Sequence, residues 1–98
     1  MRYAILLASL LLAVPGFTPA FADEQPVELK PGPGLDTVNA NCGGCHSLDY
    51  IRMNSPFLTA ADWKAEVGKM RAAFGAPVDE ADAATIATYL ADNYGTAK

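Results

Sequence analysis

Read for hydrophobic rhythm alone, the chain falls into an apolar opening, a stretch without period and three helical stripes. Ala4 to Val14 is apolar apart from Ser9, and Pro15-Gly16 ends the run. Residues 23–34 hold Pro26, Pro31, Gly32, Pro33 and Gly34, so an extended arm is expected there rather than a helix. Within it Val27 and Leu29 alternate around Glu28, an apolar edge able to dock on something. From Leu35 the period turns helical. Leu35, Val38 and Cys42 share one face of a short helix that ends at the cysteine. Ser47 to Leu58, with Pro56 inside it, reads as a loop. Trp63, Val67, Met70 and Phe74 then line one face of a second helix, opened by a capping box at Thr59 and Asp62. Gly75 offers a left-handed stop and Pro77 forbids continuation. A third helix opens at Asp79, buries Ile86, Leu90 and Tyr94 with Ala83, Ala87 and Tyr89, and closes at Gly95. No segment has the alternation of a strand. The expectation is an all-α chain with three main helices in one domain, residues 35–98.

The apolar opening has the layout of an export signal. Arg2 precedes the run, and Ala20 and Ala22 supply the small residues a signal peptidase inspects, so cleavage is expected between Ala22 and Asp23. A run of about 11 residues is too short for a bilayer, which needs about 20. The mature chain would therefore carry no membrane span and would work in the periplasm.

Charge narrows the partners. Seven Lys and Arg face eleven Asp and Glu, a formal net charge of −4 that deepens once Arg2 is removed. Nucleic acid, which wants a basic face, is excluded; a basic protein partner is allowed. A domain this small is marginal without a disulfide, a metal or another staple.

Cys42-Gly43-Gly44-Cys45-His46 supplies a candidate staple. C-x-x-C-H is the attachment signature of a c-type haem. Both thiols add across the haem vinyl groups as thioethers, and the histidine that follows reaches the iron as proximal ligand. The motif consumes both cysteines and the only histidine. A structural zinc site needs four ligands and a dithiol oxidoreductase needs an α/β fold. The pattern offers no such α/β fold, and a zinc site completed by a carboxylate or shared between two chains is the lesser alternative that remains.

With His46 used, a sixth ligand from this chain is most simply a methionine. Met70 shares a face with Trp63 and Val67 and is the expected ligand. Met53 is the alternative, although the backbone would have to round the haem edge within about 25 Å of extended chain. An open sixth site is the third possibility. Pro56 is expected to offer its carbonyl to the other imidazole nitrogen, or else merely to shape its loop. Arg52 and Trp63 are candidate donors to the haem propionates, or a solvated charge and a core aromatic. The acidic first turn of the last helix reads as capping.

These residues together resemble a family. C-G-G-C-H ending the first helix, W-x-x-x-V-x-x-M, G-A-P and the final Y-L-A-D-N-Y-G resemble small class I cytochromes c over Leu35 to Gly95. The arm V-E-L-K-P-G-P-G-L-D with C-G-G-C-H-S-L-D-Y-I-R-M is similar, more closely, to the haem c subunit of bacterial sulfite dehydrogenases. The chain departs from larger class I members in lacking a long methionine-bearing loop before the last helix. The resemblance implies a class I cytochrome c fold whose first and last helices cross, with Leu35 and Val38 against Leu90 and Tyr94. It implies one covalent haem c and one-electron transfer, not catalysis by this chain alone. The implied partner is a molybdenum-cofactor subunit that oxidises sulfite, with another cytochrome c or a terminal oxidase downstream. The rivals are a free-standing periplasmic shuttle and, from another class, an open-site haem sensor.

Overall fold

The computed structural model describes residues 15–20 and 25–97. The apolar opening before Pro15 and the expected cleavage point lie outside the described residues. Four helices follow in order: α1 (Leu35–Cys42), α2 (Asp49–Asn54), α3 (Ala60–Ala72) and α4 (Glu80–Tyr94). Among the described residues there is no strand, and no helix is long and apolar enough to cross a membrane. The chain is all-α.

The local signals act where the sequence places them. Thr59 Oγ1 accepts from the Asp62 amide at 3.2 Å while the Asp62 carboxylate accepts from the Thr59 amide at 2.9 Å, closing a capping box before α3. Asp79 Oδ1 accepts from the Asp82 amide at 2.7 Å before α4. Gly75, at φ 66°, takes the left-handed conformation expected after α3. Gly95 ends α4 differently. Its φ of −76° suits any residue, but a Cβ there would meet the Ala91 carbonyl oxygen at 2.5 Å.

The segment expected to be a loop contains α2. Ile51 is its one buried residue, and a stripe of one gives no period to read. Packing on α4 and the Asn54 side chain, which donates to the Tyr50 carbonyl at 2.8 Å, hold this short helix together. Pro56 lies just past its end.

α4 is the common wall. α1, α2 and α3 each pack on it. Its Ile86, Tyr89, Leu90 and Tyr94 join Val38, Ile51 and Trp63 in one core. Gly34, the N-cap of α1 at φ 93°, lies so close to α4 that a Cβ would sit 3.0 Å from that of Tyr89.

The proline-rich arm belongs to this core. Leu29 is buried in it and Val27 packs against it. The Lys30 amide donates to the Tyr94 hydroxyl at 2.8 Å, and the Tyr89 hydroxyl donates to the Lys30 carbonyl. Lys30 Nζ donates to the Asn93 carbonyl at 2.7 Å and lies 4.8 Å from the centre of the Tyr94 ring. Val27 and Leu29 dock on the chain's own core, and Lys30 is tied to its last helix.

Candidate functional site

α1 delivers Cys42 at its final residue, and Gly43-Gly44 turn the chain so that Cys45 and His46 follow on the same side. These three side chains border a cavity of about 500 Å³. Tyr50 and Ile51 of α2 continue the wall, and α3 supplies Trp63, Val67 and Met70 from its apolar stripe. Phe74, Ala76 and Val78 in the turn, with Ile86 and Leu90 of α4, close the far side. The lining is almost wholly apolar, and its size suits a cofactor-sized ligand.

Chemistry is concentrated at one end. Both thiols are free, Cys42 half-buried and Cys45 exposed. Burial pushes the Cys42 thiol above its ordinary pKa. Its place at a helix C-terminus gives a thiolate no help either, because reactive dithiols rely on helix N-termini or nearby cations. A nucleophilic redox pair is thus poorly served here. Among the described residues no group of three or more His, Cys, Asp and Glu is placed to hold a metal ion.

His46 Nδ1 lies 3.0 Å from the Ser47 carbonyl oxygen, and the ring meets Tyr50 at 5.7 Å between centroids, tilted by 56°. A proton on Nδ1 donated to that carbonyl leaves Nε2 its lone pair for a metal. The acceptor beside Nδ1 is the Ser47 carbonyl. Pro56 is exposed and outside the cavity lining.

The structure sorts the other expected residues. Met70 lines the cavity with Cys42, Cys45 and His46; Met53, two-thirds exposed at 66%, does not. Arg52 points elsewhere, to a polar cleft beside Lys30 and Glu28. Trp63 is on the cavity wall, but its indole N–H donates to the Tyr94 carbonyl at 2.9 Å and is not free for a ligand carboxylate. The cation on this wall is Arg71, whose Nε donates to the Val78 carbonyl at 2.8 Å. Glu66 is there too, accepting from the Tyr50 hydroxyl at 3.1 Å. Burial first, then the hydrogen bond and charge of Glu66, raise the Tyr50 pKa. Sequence reasoning passed over both residues. Glu66 follows Trp63 by three positions and precedes Met70 by four, so its place on the apolar stripe was the signal available.

A donor set of two thiols and one imidazole at the end of an apolar cavity, with a thioether further along its lining, fits haem c. No protein-family model matches the chain, and no curated protein matches it.

Proposed function

We propose that this chain is a mono-haem c-type cytochrome of the class I fold that carries one electron at a time. The observation that carries this reading is the meeting of Cys42, Cys45, His46 and Met70 on one apolar cavity. Haem c would supply the one-electron couple. Cys42 and Cys45 would hold it by thioether bonds, with His46 Nε2 and the Met70 sulfur as the iron's ligands from this chain. Val67, Ile86 and Leu90 keep water from the centre, which favours the less charged reduced state and raises the potential. With His46 and Met70 both committed as ligands, small gases would have no open place to bind, which disfavours the sensor reading.

The finer proposal is an electron-accepting subunit of a periplasmic molybdenum enzyme that oxidises sulfite, passing electrons to another cytochrome c or a terminal oxidase. Its support is the resemblance of the arm and motif. The free-standing shuttle has an observation of its own: Leu29 is buried in the chain's own core and Lys30 is bonded to α4. Capture of a large molybdenum-containing subunit by the tagged mature chain from periplasm selects the first; recovery of the chain alone selects the second.

The haem itself is tested by replacing Cys42 and Cys45 together with Ala in a strain that matures c-type cytochromes. Wild-type chain should keep haem stain on a denaturing gel, and the double variant should lose it entirely. Stain persisting in the variant overturns covalent attachment.

A further inference from the structure

One hydrogen bond runs directly between the two sides of the cavity. His46 and Tyr50 lie on one side, on the motif and on α2. Met70 lies on the other, on α3. α2 and α3 each pack on α4, and no Cα of one comes within 8 Å of a Cα of the other. Across the gap the Tyr50 hydroxyl donates to Glu66 Oε2 at 3.1 Å. That bond runs directly from α2 to α3. Glu66 is itself held in place, since its Oε1 accepts from Lys69 Nζ at 2.7 Å, one turn along α3. The ring of Tyr50 rests against the His46 imidazole.

We propose that Tyr50 and Glu66 form a clasp that holds the His46 side of the cavity against the Met70 helix, and so sets how readily an outside ligand displaces Met70. The ligand half of this rests on the haem reading above. Displacement is a plain exchange: the Met70 sulfur gives up the iron, a neutral nitrogen donor takes its place, and no electron or proton changes hands. Opening requires α3 to move from α2, and the clasp is the direct bond that such a movement breaks. Tyr50 and Glu66 act through Met70 and are positioning residues.

Imidazole is the probe, titrated into the ferric, haem-loaded protein and followed in the visible spectrum. Tyr50→Phe keeps the ring against His46 and removes the donor. A bond to a carboxylate at this partly exposed place corresponds to roughly five-fold in an equilibrium constant. Tyr50→Phe and Glu66→Ala should each tighten imidazole binding by about that factor, and the double variant should tighten it no further, because one bond is lost in all three. Glu66→Gln, which retains an acceptor, should recover most of the wild-type value. Lys69→Ala removes an exposed ion pair and should change binding less than two-fold. Additive effects of the two substitutions, or an equal effect from Lys69→Ala, overturn the clasp. A second readout does not depend on haem. Amide exchange at Ile51 and Ser55 of the α2 region should quicken about five-fold in Tyr50→Phe while Trp63 and Ala83 amides keep their rates. Unchanged exchange at Ile51 and Ser55 also overturns it. A wild-type chain that holds no haem defeats the function proposed above, and the exchange result then judges the clasp by itself.

Discussion

The two faces of α4 have opposite economies. On the face that meets the arm, every large group is covered by the chain itself. Leu29 is buried, Tyr89 and Tyr94 are each tied to Lys30, and the Tyr94 carbonyl accepts from both Trp63 and Ser55. Across the cavity from α4, Val67 and Met70 of α3 and Phe74 in the turn after it line the open space, and Phe74 is 71% exposed. A small chain that could close one side so thoroughly does not leave the other apolar by default. The difference teaches where the fold is self-sufficient and where it is shaped for something it does not encode. The thiols and the imidazole stand on the second side.

Trp63 belongs to both faces, so its removal is the largest single blow. Its ring forms cavity wall, it is 1% exposed, and its N–H is the donor to Tyr94. Trp63→Ala should cost about 3–5 kcal/mol in denaturant unfolding. Trp63→Phe should keep much of the volume and lose only the bond, costing roughly 1–2 kcal/mol. Equal costs for the two would mean that the Tyr94 contact, not the packing, holds the faces together.

Leu29→Ala tests whether the arm is structural. At 8% exposure the side chain is core, and truncation should cost about 2–3 kcal/mol, close to the lower end for buried leucines. A disordered terminus would show no change. The alternation of Val27 and Leu29 was legible in the sequence, but its target was not, because a period of two says that one edge is apolar and nothing about what lies opposite. The same limit applies to Trp63. Its place on a helical stripe could be read, whereas its bond to a carbonyl 31 residues on could not. What the sequence does carry well is local: the Thr59–Asp62 box, the Asp79 cap and the turn at Gly75 are each settled within four residues. α2 was hidden for the converse reason, since six residues with one buried side chain take their conformation from α4. At the site, the spacing of the motif gave Cys42, Cys45 and His46, and the stripe gave Met70. Ser47, Arg71 and Glu66 came only with the turn of the chain after His46 and the placement of α3.

Alkaline pH should act on the arm face. Burial first, and after it the neighbouring Tyr94 hydroxyl, push the Tyr89 pKa up to about 12 from its usual 10. The folded chain therefore keeps a proton that the unfolded chain loses. Stability from this residue is complete below pH 10 and falls between about pH 10 and 12, by roughly 2 kcal/mol. Unfolding free energies measured across that window should fall more steeply for wild type than for Tyr89→Phe. Parallel slopes would place the alkaline sensitivity elsewhere, with Tyr50 the next residue to examine.

The smallest expected effect concerns the two methionines and separates the faces most finely. Met53 is at the exposed end of α2, away from the cavity lining, while Met70 is half-buried on it. Met53→Ala should leave stability within about 0.5 kcal/mol of wild type, because its side chain is mostly in water already. It should also leave the spectrum of the haem-loaded protein unchanged. Met70→Ala removes the proposed distal ligand, so it should open the sixth position, lower the potential and let carbon monoxide bind the reduced protein. The two variants remove the same kind of side chain from α2 and from α3 of one short domain. If Met53→Ala turns the iron high-spin while Met70→Ala leaves it low-spin, the ligand lies outside the cavity and the assignment of Met70 fails.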